Sequence, residues 1–136
     1  VLTLLTRVLA YLQADATLIA LCPAANMTPS AVSELSADAP YPHISMETSY
    51  DAGGGPADYA ASRKVHLAMW VESQVSLVEA KGIADRIVFL LHRQQDALNN
   101  STVCVKMIKL SRSPISSSET PTKAKQVSLD FEVIAE

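Results

Sequence analysis

Glycine, aromatic side chains and charge are all scarce in this chain. Four glycines, one tryptophan, four tyrosines and two phenylalanines stand among 136 residues, of which 18% are charged. So little charge, set against 49% hydrophobic residues, excludes a disordered chain, which has the opposite balance. The two cysteines, Cys22 and Cys104, are too few to build a disulfide scaffold or to bind zinc unaided. No apolar run approaches the roughly 18 to 20 residues of a membrane-spanning helix. Thr3, Thr6, Arg7 and Gln13 interrupt the apolar opening, which does not read as a basic leader followed by a cleavage site. A formal charge of −3 argues against a dedicated nucleic-acid binder, which carries a basic face. What remains is a chain sized for one domain, expected to be soluble and of cytosolic origin.

What is present is periodic. Val1, Leu5, Val8, Leu9 and Leu12 recur at helical spacing. Asp15 then reads as the N-cap of a short second helical piece carrying Leu18, Ile19 and Leu21, which Pro23 ends. Residues 24 to 42 leave two readings open: one helical turn beginning at Thr28-Pro29, or an irregular edge. Ile44 and Met46 alternate with Ser45 and Glu47, and Val65, Leu67, Met69 and Val71 alternate with Lys64, His66, Ala68, Trp70 and Glu72. Both stretches have strand periodicity. Ser76 and Glu79 form an S-x-x-E capping box before a helix that buries Ala80, Ile83, Ala84, Ile87 and Leu91, with Asn99-Asn100 as the closing turn. Between Thr102 and Leu110 the apolar phase changes, from Val103 and Val105 to Ile108 and Leu110, which means a bulge or a strand covered on both faces. Val127, Leu129, Phe131 and Val133 mark a last strand.

The order helix, strand, strand, helix, strand, strand predicts an α+β two-layer sandwich. About four mostly antiparallel strands pack against two helices. Two long loops, 49–62 and 111–122, are expected to project from it, and loops of that length on a small domain are usually functional.

Catalytic chemistry finds little to work with. His43, His66 and His92 sit in separate elements without metal-ligand spacing, and a Cys104–His66 dyad has no local support. Gly53-Gly54-Gly55 precedes a strand and lacks the lysine of a phosphate loop, so it reads as a mobile connection able to order on a partner. Trp70 either helps cover the second face of a central strand or packs in a subunit interface. Lys106, Lys109, Arg112, Lys123 and Lys125 cluster around the last hairpin, as a solvated rim or as a contact for acidic neighbours or passing DNA. No nucleophile–base pair, carboxylate pair, metal site or cofactor motif emerges, and the chain reads as a non-enzyme.

The ordered pattern resembles the small tail-terminator proteins of long-tailed phages and gene transfer agents, also called tail-completion or tail-to-head joining proteins. The likeness runs through Ala14-Asp15-Ala16, Leu18-Ile19-Ala20-Leu21, Ala39-Pro40-Tyr41-Pro42-His43-Ile44 and Val65-His66-Leu67-Ala68-Met69-Trp70-Val71. It continues through Val78-Glu79-Ala80-Lys81-Gly82-Ile83-Ala84-Asp85-Arg86-Ile87, Leu90-Leu91-His92 and Val127–Ala135. Segment 22–39 is longer than the family pattern and lacks its arginine-glycine strand start. The resemblance implies a structural part of the virion, in its tail–neck region, assembled in the host cytoplasm. Six copies would form a ring that caps the head-proximal end of the tail tube, ends polymerisation of the tube protein and joins the tail to the head connector. DNA would pass through the lumen without sequence-specific binding, and no membrane is involved. The interface residues expected on this reading are Asp51, Gly53, Gly54, Gly55, Pro56, Asp58 and Tyr59 in the first loop, Trp70 in the strand, and Arg112, Ser113, Pro114, Glu119 and Lys123 in the second. The competing readings are a head-side connector or neck protein and a small α+β ligand-binding domain.

Overall fold

The structure, a computed structural model, describes residues 2–29, 40–50, 63–101, 103–117 and 124–135. Its opening helix α1 spans Leu2–Gln13 and buries Leu4, Leu5, Val8 and Leu12. The chain breaks at Ala14-Asp15 because the Asp15 carboxylate accepts the Leu18 N–H at 2.8 Å, capping a separate helix α2, Ala16–Leu21. Pro23 then leads into a 3₁₀ turn, Ala24–Asn26. Where the sequence left a helical turn or an irregular edge open, the next residues form a two-residue strand β1, Met27–Thr28.

Strands β2 (His43–Tyr50) and β3 (Arg63–Ser73) pair antiparallel along their lengths, from His43 opposite Glu72 to Tyr50 opposite Val65. Helix α3, Leu77–Leu91, follows and buries all five residues its periodicity marks, with Leu90 in addition. Its start departs from a reciprocal capping box. Ser76 Oγ accepts the Glu79 N–H as expected, but the Glu79 carboxylate receives Ser73 Oγ instead, and Ser73 Oγ in turn accepts the Val75 and Ser76 amides. The buried Ser73, last residue of β3, therefore carries the strand-to-helix turn.

The helix ends at Leu91, before the expected Asn99-Asn100. His92 is its C-cap and Arg93 takes a left-handed backbone at φ 59°, the conformation that commonly terminates helices. A short α4, Gln95–Leu98, comes next, and Asn99 and Asn100 use their side-chain oxygens to hold the Val105 and Val103 amides.

The phase change after Val103 is a bulge. In β4, Val105–Leu110, Val105 faces Ala135 while Met107 faces Ile134, which leaves Lys106 extra. The stretch read as one loop from Ser111 contains a short strand β5, Ile115–Ser117. Both β4 and β5 lie antiparallel on the same side of β6, Lys125–Ala135, as one edge strand interrupted at residues 111–114.

The six described strands form a single sheet in the order β1-β2-β3-β6-β4, with β5 also on β6 and only β1–β2 parallel. Ile44, Met46, Leu67, Met69, Val71, Leu129, Phe131 and Val133 line the face beneath the helices, each almost fully buried. A buried side chain of this size contributes roughly 1.5 to 3 kcal/mol. Helix α3 lies over β3 and β6, α1 over β1 and β2, and α4 beside β4. Two long-range ties hold α1 in that layer: the Arg7 guanidinium donates to the Ala97 and Leu98 carbonyls, and Tyr11 donates to the Leu90 carbonyl. The result is the two-layer α+β sandwich, with helices on one face of the sheet, enlarged by two short strands and two short helices. No described helix is long and apolar enough to cross a membrane.

Candidate interface surfaces

The sheet's second face carries residues that alternate with the core. Register aligns them in rows: His43, Glu72 and Gln126; then Ser45, Trp70, Ser128 and Ile115; then Glu47, Ala68 and Asp130; then Ser49, His66, Glu132 and Lys109. The first row is closed off. His43 Nδ1 donates to the Pro40 carbonyl at 3.1 Å, Nε2 lies 2.9 Å from Glu72 Oε1, and the Tyr41 ring stacks on the imidazole. Next to it, Thr28 and Ser45 sit opposite one another across β1 and β2, and both hydroxyls are buried with no hydrogen-bond partner among the described residues.

Beyond the first row the face opens. Trp70 is half-buried, while Glu47, Lys64, His66 and Lys109 are exposed. Arg112 folds back from the break between β4 and β5, donating to Asp130 Oδ2 from Nε at 2.6 Å. Asp130 is two residues past Ser128, the register partner of Trp70, so the structure brings Trp70 and Arg112 to one quarter of the same face. Ser113 and Pro114 are exposed at that break. These three residues therefore belong to a sheet edge, since the chain resumes pairing at Ile115. Asp51, Gly53, Gly54, Gly55, Pro56, Asp58, Tyr59, Glu119 and Lys123 lie outside the described residues.

The β4–β5 edge is poorly suited to recruiting another strand. A bulge, exposed Lys106 and Lys109, and Pro114 at the break all discourage edge-to-edge pairing.

A third surface lies on the side of α3 that its core periodicity does not mark. Val75, Val78 and Phe89 are 78%, 79% and 68% exposed, and Ile19 and Leu21 of α2 are also exposed. The signal was available: Val78 and Phe89 fall outside the phase of Ile83, Ile87 and Leu91. Arg86 lies 4.9 Å from the Phe89 ring centroid and forks onto Asp15, so the ring rests on a tethered guanidinium.

His92 and Cys22 are engaged structurally. His92 Nδ1 accepts the Leu110 amide. Burial, with a smaller contribution from Glu79, pushes the Cys22 thiol up to about 12, and Cys104 is exposed. No three His, Cys, Asp or Glu residues among those described are grouped to hold a metal ion.

The fold is thus a single mixed sheet with helices on one side, presenting an open sheet face and an apolar helix face. Its arrangement is similar to that of a chain in the solved structure described as the virion of a native gene transfer agent particle. The TM-score is 0.75 over 97% of this chain and 93% of that one, at 16% sequence identity. No family model and no curated protein matches the sequence.

Proposed function

We propose that this chain is a structural virion protein, one subunit of a ring that caps the head-proximal end of a phage-type tail tube and joins it to the head connector. The observation that carries the reading is the end-to-end likeness of fold to a chain of a gene transfer agent virion. The ordered sequence resemblance to tail terminators supports it from an independent direction.

The physical role follows from unlike surfaces. A tube subunit adds because each ring repeats the surface that received it. A terminator that matches the tube on one side and offers a different surface on the other ends that repetition. On this reading the chain assembles as a homo-oligomer, a hexamer in the family, between the tube protein and the neck proteins. The segments 49–62 and 111–122, expected from the sequence to be loops, contact neighbouring rings, with Arg112, Ser113 and Pro114 among the contact residues. A net charge of −3 suits a DNA conduit, because a strongly cationic wall would retain DNA through counterion release.

The test is genetic and visual. Particles made without this chain are expected to have tails of unregulated length that fail to join heads, and labelled chain is expected at the tail–head junction. Replacing Gly53 to Pro56 with a short rigid turn should leave the subunit folded and impair joining. Normal, attached tails in its absence overturn the proposal, as does label confined to heads without tails.

A further inference from the structure

The exposed side of α3 contains a feature that the subunit's own packing leaves unexplained. Gly82 stands inside the helix between Val78 and Phe89, where glycine is less stable than alanine. A side-chain carbon added at Gly82 would meet nothing within 4 Å. No close approach within the described subunit calls for glycine here, and its backbone is ordinary helix. The gap lies on the stripe that exposes Val78 and Phe89, and a bare helical position between two large apolar side chains is a socket for an incoming side chain.

We propose that this stripe is the contact by which one copy of the chain docks on the next, the α3 socket of one copy receiving the open sheet face of its neighbour. The proposal rests on the ring reading above and specifies its subunit contact.

Three observations select a second copy. First, the chain carries unlike surfaces on opposite layers: the apolar α3 stripe, and a mainly polar sheet face on which exposed Ile115 and half-buried Trp70 share one row. A head-to-tail ring uses such a pair, whereas a two-fold dimer needs one self-complementary patch. Second, the β4–β5 margin is blunted against strand pairing, which at that margin favours contact through faces. Third, the charges match. Exposed Lys81 and Asp85 flank Gly82 and have no ionic partner among the described residues. The open sheet face presents exposed Glu47 and Lys109, equally without ionic partners among the described residues. Lys81 is assigned to Glu47 of the neighbouring copy, and Asp85 to its Lys109.

Self-association of the full chain, followed by sedimentation velocity and light scattering, tests this directly. Gly82→Ala is expected to raise the thermal midpoint of the subunit while weakening association about tenfold, because the added methyl fills the socket. A purely structural glycine would not separate those two readouts. Lys81→Glu and Glu47→Lys are each expected to weaken association about tenfold, and the double variant to restore it. Unchanged association in Gly82→Ala overturns the proposal, as does a double variant no better than the singles. A wild-type chain that stays monomeric at every concentration also overturns it. The terminator reading is judged separately, by tail length and attachment in particles, so either can fail without the other.

Discussion

Arg86, in the middle of α3, closes a two-point fork on Asp15, the residue that starts α2: Nε to Oδ2 is 3.0 Å and Nη2 to Oδ1 is 2.9 Å. One carboxylate thus caps a six-residue helix that is too short to persist alone and fastens it to the longest helix of the layer.

Asp15→Ala should therefore cost about 1 to 2 kcal/mol, in the upper range for a lost N-cap. Hydrogen bonds from Arg86, aided by the Leu18 amide, hold the carboxyl below its ordinary value of 3.8. A carboxyl with a lowered pKa in the fold contributes stability that is complete above the unfolded value and is lost as pH falls through the folded one. The difference in thermal midpoint between wild type and Asp15→Asn should be full above pH 3.8 and shrink below it. A constant difference across that range would show that the fork does not form.

The two cysteines should differ in accessibility to reagents. Buried Cys22 is held up at about 12, whereas Cys104 is exposed. A thiol reagent at pH 8 is expected to modify one group in the native chain and two in denaturant. The sign of the stability effect follows from the raised value. Cys22 stays protonated in the fold while the unfolded thiol ionises at 9.0, so its contribution declines from pH 9.0 to about 12. Cys22→Ala should flatten that part of the alkaline stability profile.

Thr28 and Ser45 offer a chance to improve the protein. Their facing hydroxyls are buried and unsatisfied among the described residues. Thr28→Val with Ser45→Ala removes both at small change in shape, and a gain of about 1 kcal/mol is expected. Chemical denaturation measures it, and a loss of that size would reveal a bridging water that the substitutions had expelled.

At the closed end of the same face, Glu72→Leu leaves His43 Nε2 buried opposite an apolar side chain. The expected cost is about 1 to 3 kcal/mol. His43→Phe added to Glu72→Leu should recover most of it, since an apolar pair replaces a polar one whole. A double variant as unstable as the single would show that the Nδ1 bond to Pro40 matters more.

Elements with strong local signals were legible in the sequence. Asp15 as a cap, the five buried positions of α3 and the alternation of β6 follow from local sequence alone. The phase change after Val103 leaves a bulge and a doubly covered strand both open until the register with β6 decides for the bulge. The misread details depend on distant partners. Arg93 carries no stop signal in its side chain; its left-handed backbone follows α3 where its amide reaches the Ile108 carbonyl. Strand β5 has no apolar run because Ile115, Ser116 and Ser117 are held by backbone pairing to β6 at an exposed edge. The fold of β1 onto β2 involves only two register pairs, below any periodicity. Of the expected interface, Trp70 and Arg112 share a face, a proximity visible only once β3 and β6 are in register. The α3 stripe was hidden for the reverse reason: a helix is read by what it buries, and Val78 and Phe89 are what it leaves out.

The placement of β6 reaches beyond packing. It is the last of the six described strands along the chain, yet it sits inside the sheet and is the only described strand to which β4 and β5 are joined. During synthesis, everything from residue 105 to residue 117 must wait for 125–135 to leave the ribosome before it has a template. A nascent chain stalled before that point would hold only β1, β2 and β3, with a bare margin on β3 that invites chaperones or stray neighbours. The sheet is therefore completed only by its last described strand, a dependence written into strand order.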